Sequence, residues 1–146
     1  MKSKLIDEKT FAVIFETGDE IISGLTAFAK EHELAASHFT AIGAAQDVTL
    51  GYFNWDKKDH QRIPIREQVE VLSLVGDIAL EEGEPKVHAH VVVGKSDGTA
   101  HGGHLLEAHV RPTLELVVTE SPQHMWKKFD PESGLALIDL ESGTGP

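Results

Sequence analysis

The stretch VHAHVVVG, residues 87–94, is short, rich in β-branched side chains and bounded by turn-forming residues, and this pattern predicts a β-strand. Successive side chains on a strand point to opposite faces, so His88 and His90 share one face, about 7 Å apart along it. A single histidine would carry no functional meaning, but two on one face can act together. The strand therefore supplies the first two members of a candidate metal site.

The residues that follow this strand predict a hairpin. Lys95–Gly98 form a tight polar turn in which the Asp-Gly pair is a strong hairpin signal. The chain beyond the turn then returns antiparallel and brings His101 or His104 towards the face of His88 and His90. Three neutral imidazoles that converge on one point are the ligands that zinc and other late divalent metals prefer. The alternative interpretation is a polar, half-exposed hairpin face that happens to be rich in histidine.

A glycine pair, Gly102-Gly103, precedes the third histidine. Glycine lets a backbone approach closely or adopt φ > 0, and within a strand it indicates a bulge or tight bend that can re-aim a side chain. The predicted metal ligands are therefore His88, His90 and His104. Ligation requires neutral imidazoles, so the affinity for the metal should fall as the pH drops through the histidine range near ~6.5.

Composition limits both the class of protein and the kind of metal site. The 146 residues are 40% hydrophobic and 25% charged, which is typical of a globular protein and predicts one domain, residues 1–146. There is no cysteine, so a disulfide or a thiolate metal site is excluded. Any metal must be held by histidine, carboxylate, backbone or water, with His101 and His109 as candidate fourth ligands. An exposed histidine without such a role is the simpler interpretation of each.

Charge and hydropathy patterning bear on location and partners. The N-terminus has no apolar run like a signal peptide, and no segment has the apolar length that spans a bilayer, so a cytoplasmic protein without membrane contact is expected. The net charge of -11, from 24 acidic and 13 basic residues, opposes non-specific attraction to nucleic acid. We therefore predict that duplex DNA binds no more tightly than the ~10⁻⁴–10⁻⁶ M of non-specific contacts.

The rest of the chain predicts one main helix and about seven strands, an α+β fold with a mostly antiparallel sheet. A strand over residues 11–15 is followed by a helix whose apolar residues recur at helical spacing. This helix begins either with a capping box formed by Thr17 and Glu20 or with Asp19 as the N-cap. A short helical turn is expected at Gln123–Phe129.

Two apolar strands predict self-association. Residues 69–75 form a nearly continuous apolar run, which is typical of a strand buried on both faces, and residues 113–119 form a second apolar strand. One helix rarely covers both faces of such a sheet, so a partner subunit is expected. Glu70 stands inside the first run, either at its solvated end or as a buried acid near the histidines. Glu70 or Glu107 would be the general base if the site were catalytic.

The chain contains five short motifs in a characteristic order and spacing: Ala41–Ala44, Glu70–Gly76, His88–His90, Gly102–Leu105 and Thr113–Leu116. Together they resemble the plant and prokaryote conserved (PPC) domain over roughly Phe11 to Leu140. The resemblance implies an α+β fold that assembles as a homotrimer. It also implies metal sites at the positions of His88, His90 and His104, close to the subunit interface. Plant members carry the domain after AT-hook segments, and bacterial stand-alone members are often described as DNA-binding. This chain has no Arg-Gly-Arg-Pro hook core and is strongly acidic.

Three functions follow from the sequence and the resemblance. The one that we favour is a homotrimeric module that holds a divalent metal, zinc by preference, or a small ligand at the three-histidine site. The second is a zinc-dependent hydrolase or lyase of unknown substrate, with an open fourth metal position for water. The third is a DNA-binding or transcription-associated protein, which rests on the family resemblance alone.

Overall fold

The computed structural model describes residues 1–141, which form one α-helix and nine β-strands. In chain order the elements are β1 (Lys2–Asp7), β2 (Thr10–Glu16), α1 (Ile21–Glu31), β3 (Ala36–Asn54), β4 (Asp59–Ile65), β5 (Val69–Glu81), β6 (Glu84–Gly94), β7 (Ala100–Glu120), β8 (Trp126–Asp130) and β9 (Leu135–Asp139). The predicted α+β class with one helix is confirmed. No helix within residues 1–141 has the length and apolar character needed to cross a membrane.

The strands form a mixed sheet in the order β1-β2-β7-β3-β5-β8-β9, with β4 on the side of β3 and β6 joined to both β5 and β7. The pairings of β3 with β5, β5 with β6, β6 with β7 and β7 with β3 close into a ring of four strands. Within the described residues every strand pair is antiparallel except β5 with β8, which is parallel at Leu80–Glu81. The sheet is thus mostly antiparallel, as predicted, but the parallel pairing makes it mixed.

Helix α1 packs its apolar side on β6 and β7. Its buried residues are those that recur at helical spacing: Ile21, Leu25, Phe28 and Ala29. The N-cap is Glu20 rather than Thr17 or Asp19, because its carboxylate accepts hydrogen bonds from the backbone N–H groups of Ile22 (3.1 Å) and Ser23 (2.7 Å). The Asp19 carboxylate instead accepts from the backbone N–H of Glu16 (2.8 Å).

Two strands were not predicted, and one predicted helical turn is wrong. Strand β1 is exposed along its whole length and carries no buried apolar pattern by which it could be recognised. The segment at Gln123–Phe129 does not form a helix. Its start is held extended by hydrogen bonds of the Met125 backbone to Ala35 and Leu80, and its end is β8, which pairs with β9. Long-range backbone pairing has overridden the local Ser-Pro signal.

The apolar run at residues 69–75 is buried on one face only. Val69, Val71 and Leu74 point into the core, whereas Leu72 and Val75 are 52% and 48% exposed. The prediction of burial on both faces is therefore wrong for the isolated chain. Two further exposed apolar side chains flank these on neighbouring strands: Ile42 (61% exposed) and Val117 (45%). We call Ile42, Leu72, Val75 and Val117 the apolar face.

Candidate metal centre

The hairpin formed by β6 and β7 positions the three predicted ligands. Its turn is closed by two backbone hydrogen bonds, from Lys95 N–H to the Thr99 carbonyl (2.9 Å) and from Gly98 N–H to the Lys95 carbonyl (2.9 Å). Gly98 has φ +81°, a conformation that favours glycine. The register that follows places His90 directly opposite His104. The predicted hairpin is confirmed.

His88, His90 and His104, which we call the histidine trio, come together in space. One ring nitrogen from each lies within 4.8 Å of the others. The ring centroids are 5.1 Å apart for His88 and His90, 5.2 Å for His88 and His104, and 5.5 Å for His90 and His104. The convergence expected from the sequence is therefore present, and the role of the trio as metal ligands stays a prediction.

The glycine pair acts by close approach rather than by a bulge. The register between β6 and β7 is continuous through Gly102 and Gly103. A Cβ on Gly103 would lie 2.7 Å from the carbonyl oxygen of Gly51, so only glycine lets β7 come this near to β3. The irregularity in β7 falls instead after His104, where Leu105 and Glu107 pair with consecutive residues of β3.

The other candidate histidines lie outside the trio. His101 sits opposite Val93, and its Nε2 is 3.4 Å from the Thr99 hydroxyl. His109 has its Nδ1 2.8 Å from the Asp47 carboxylate. His101 is exposed, as the simpler interpretation expects, whereas His109 is half-buried and engaged by Asp47.

Neither predicted general base is at the trio. Glu70 is exposed and lies opposite Gly94, towards the other end of β5. Glu107 faces Arg62 (3.6 Å) and His109 (4.0 Å). Among the described residues, the carboxylates that line the cavity beside the trio are instead Asp77 and Glu81.

Asp77 is the acid that the sequence analysis missed. It lies opposite His88 in the pairing of β5 with β6, with its Oδ2 3.6 Å from His88 Nδ1. Its Oδ1 is buried without a hydrogen-bond partner and lies 3.4 Å from the ammonium group of Lys127, whose side chain is almost fully shielded from solvent. Burial raises the pKa of Asp77, but the contacts with His88 and Lys127 outweigh it and hold that pKa below its ordinary value.

Aromatic residues of the β3–β4 hairpin pack beside the trio. The His60 ring stacks on His104, with centroids 4.4 Å apart and planes at 27°, and Phe53 packs edge-on to His60 at 5.4 Å. Burial, followed by repulsion from His60 and the other trio members, lowers the pKa of His104 to about 4. Burial and the neighbouring histidines also lower the pKa of His90. Both imidazoles are therefore neutral at pH 7, the form that binds metals.

A cavity of about 690 Å³ opens beside the trio. Its polar lining includes Asp77, Glu81 and the histidines, and much of its apolar lining comes from strand β9, Leu135–Ile138. Strand β8 contributes Lys127. The C-terminal hairpin of β8 and β9 thus converts an exposed histidine cluster into a lined pocket with both a polar and an apolar side.

Comparison with known proteins places these features in a family. The family model of the Plants and Prokaryotes Conserved (PCC) domain matches residues 3–122, a span that contains the whole trio and ends before β8. A crystal structure of a "putative DNA binding protein" from Bacteroides thetaiotaomicron is 32% identical and has a TM-score of 0.92. The match covers 96% of this chain and 97% of that one. A plant- and prokaryote-conserved (PPC) protein from Pyrococcus horikoshii is 31% identical, with a TM-score of 0.85 and 94% of each chain covered.

A third solved structure carries a metal. The metal-containing protein from Archaeoglobus fulgidus is 32% identical, with a TM-score of 0.82, and the match covers 94% of this chain and 99% of that one. Among curated proteins, the bifunctional protein GlmU of a Synechococcus species is 26% identical over 127 residues. The match takes in 85% of this chain but spans 19% of the length of GlmU. The family model, which matches most of the chain, and these near-complete structural matches show that the chain belongs to the Plants and Prokaryotes Conserved domain family, abbreviated PCC or PPC.

Proposed function

We propose that the chain is a single PPC domain that binds one divalent metal, zinc by preference, through His88, His90 and His104. The observation that carries the proposal is the distance of at most 4.8 Å between one ring nitrogen of each histidine and those of the others. Imidazole nitrogens on one tetrahedral zinc lie about 3.3 Å apart, given Zn–N bonds of about 2.05 Å. Rotations of the three side chains about their χ angles would close that difference without moving the strands.

The donor set and its surroundings suit zinc. Three imidazoles with no thiolate match the ligands of sites that keep a fourth position for water or substrate. The Asp77 carboxylate, whose Oδ2 lies 3.6 Å from His88 Nδ1, fits an acid that orients a metal-bound imidazole, since ligating histidines usually donate their second N–H to such a group. In this arrangement His88 would use its Nε2 for the metal, and Lys127 would hold Asp77 in place.

We further propose that the same site binds a small ligand, and the cavity supports this. A zinc ion there would act as a Lewis acid and lower the pKa of a bound water towards ~7. The chain itself would bind the ligand between its polar lining and the apolar residues of β9, and the hairpin of β8 and β9 would exclude bulk water. A hydrolase or lyase is the second candidate function. It is supported by Asp77 and Glu81 at the cavity and no longer by Glu70 or Glu107.

Self-association is part of the proposal, with the number three taken from the family resemblance. The apolar face places four large aliphatic side chains, each 45–61% exposed, on adjacent strands. Such a patch is costly in water, and a second copy of the chain would cover it. We therefore expect Leu72→Asp to lower the mass measured by sedimentation equilibrium from about three chains to one chain of 15.9 kDa. A wild-type mass of one chain would contradict the trimer.

The metal test uses untagged protein and elemental analysis. We expect about one zinc per chain in wild type and a loss of most of it in both His88→Ala and His104→Ala. His101→Ala is the matched control, because this histidine lies on the same hairpin but outside the trio. Equal zinc content in all four proteins would reject the ligand assignment.

A further inference from the structure

A second groove gathers all three arginines of the chain. Arg62, Arg66 and Arg111 line an opening of about 730 Å³ formed by β3, β4 and β7, which we call the arginine groove. Its volume falls within the roughly 300–1,000 Å³ typical of small-molecule sites. It shares no lining residue with the cavity beside the trio. What it binds is therefore a separate question from the metal.

The carboxylates in the groove are already engaged. Asp47 accepts a hydrogen bond from His109 Nδ1 at 2.8 Å, and this bond raises the pKa of His109. Glu107 lies 3.6 Å from an Arg62 nitrogen and 4.0 Å from His109 Nε2. The guanidinium groups of Arg66 and Arg111, by contrast, make no hydrogen bond or ion pair with any residue in the described part of the chain. Two guanidinium groups are thus left with their donors turned to solvent.

The positive charge of the groove comes from arginine alone. Five of the ten lysines are each paired with a carboxylate, and within residues 1–141 no lysine lines the groove. In a chain with a net charge of -11, the groove sets three arginines against two carboxylates, so its lining carries a local excess of positive charge that attracts an anion. Arginine also presents its donors in a planar fork that matches phosphate and carboxylate oxygens.

We infer that the arginine groove binds the phosphate group of a small molecule. Two unpaired guanidiniums offer more N–H donors than the two oxygens of one carboxylate can accept, whereas a phosphate presents three terminal oxygens. Duplex DNA would need a longer basic stripe than these residues form, because affinity for DNA grows with the number of phosphates neutralised. The groove instead has the dimensions of a pocket for one phosphorylated compound, with Val48 and Ile65 as its apolar floor.

The test is calorimetric titration of the full, EDTA-treated chain at constant ionic strength, with inorganic phosphate and glycerol 3-phosphate as probes. We expect saturable binding of one phosphate group per chain, weakened at least about tenfold in the double variant Arg66→Gln/Arg111→Gln. The control Lys57→Gln/Lys128→Gln removes the same charge from exposed sites elsewhere and should change the affinity less than about twofold. The relative affinities of the two probes would tell a free phosphate from an ester.

Three results would overturn the inference. The first is the absence of saturable binding of either probe up to millimolar concentration. The second is an equal loss in the lysine control, which would reduce the effect to overall charge. The third is a duplex oligonucleotide that binds more tightly than both probes, if that binding is lost in the arginine variant. This result would assign the groove to nucleic acid. His104→Ala should bind phosphate normally, so failure of the metal proposal leaves this one intact.

Discussion

The histidine trio and the arginine groove use the same strands but assemble in different ways. Strands β3, β4 and β7 contribute Phe53, His60 and His104 to one region, and they supply the walls of the other. The trio lies within seventeen consecutive residues of one hairpin, so its geometry depends on a single turn. The groove combines Arg62 and Arg66, at the β3–β4 hairpin, with Arg111, which the long-range pairing of β3 with β7 brings to it. A local site is visible in the sequence, whereas a site made by long-range register is not.

The largest effect that separates the two regions is expected from Asp77→Asn. Loss of the carboxylate that faces His88 should lower zinc affinity by about 10–100-fold, the usual effect of removing an acid that orients a ligating histidine. Phosphate affinity should not change. Competition with a chromophoric chelator measures the zinc affinity, and Asp56→Asn, on the exposed turn after β3, is the charge-matched control. A twofold change or less would mean that Asp77 does not orient His88.

Substitution of Glu120, which stabilises the strand shared by both regions, should lower the stability of the whole fold and should not affect one site more than the other. Glu120, at the end of β7, accepts hydrogen bonds from the backbone N–H groups of Ala35 and Ala36 and from the Ser37 hydroxyl, and so fixes the start of β3. Glu120→Ala should reduce the free energy of unfolding by about 1–3 kcal/mol, because it leaves these donors without their partner. Urea denaturation measures the loss, with Glu132→Ala in the β8–β9 turn as the control. An unchanged urea midpoint would show that water replaces the carboxylate fully.

A smaller effect concerns pH and belongs to the groove alone. The hydrogen bond to Asp47 raises the folded-state pKa of His109 above its unfolded value near ~6.5. This interaction therefore stabilises the fold fully below that pH, and the contribution is lost as the pH rises through the folded-state pKa. NMR titration of the imidazole should show a raised midpoint that returns towards ~6.5 in Asp47→Asn. A midpoint unaffected by that substitution would refute the assignment.

The smallest effect is expected with duplex DNA. Relatives described as DNA-binding make this test necessary, but the chain has 24 acidic and 13 basic residues. Fluorescence anisotropy with random and AT-rich duplexes at two salt concentrations should show binding no tighter than ~10⁻⁴–10⁻⁶ M. Sub-micromolar, strongly salt-dependent binding would restore the regulatory function and make the arginine groove its first candidate contact.

Hairpin turns explain both why the trio could be predicted and why Asp77 was not. Counting residues outward from a turn at Lys95–Gly98 places Gly103 opposite His90, one residue short of the observed partner His104, because the loop closes between Lys95 and Thr99. That is near enough for the trio to be predicted. The same count from Glu82-Gly83 would have placed Asp77 opposite His88, since this two-residue turn has φ values of +51° and +85°, as a type I′ hairpin requires. This turn was not predicted, because glutamate at its first position is not among the residues typical of a type I′ hairpin.

Other features could not be found by counting. Lys127 reaches the cavity only because β8 pairs in parallel with the end of β5, and no turn links the two strands. The exposure of Leu72 and Val75 is also invisible in the sequence, because an apolar run has the same pattern whether its second face is covered by the same chain or by another. Local composition identifies the apolar residues but not what covers them.

The ring of four strands has a consequence for the order in which the chain folds. Strands β5, β6 and the first part of β7 form a meander joined by two tight turns, and this meander alone carries Asp77 and the trio. Hairpins close in about 1–10 μs, whereas the pairing of β3 with β7 must first close a loop of dozens of residues, at a greater entropic cost. We therefore expect the ligands to meet before the ring closes, so that zinc added to the unfolded chain accelerates refolding. Stopped-flow refolding at equal protein and zinc concentrations measures this directly. Identical refolding rates with and without zinc would mean that the three histidines come together only after the rate-limiting step.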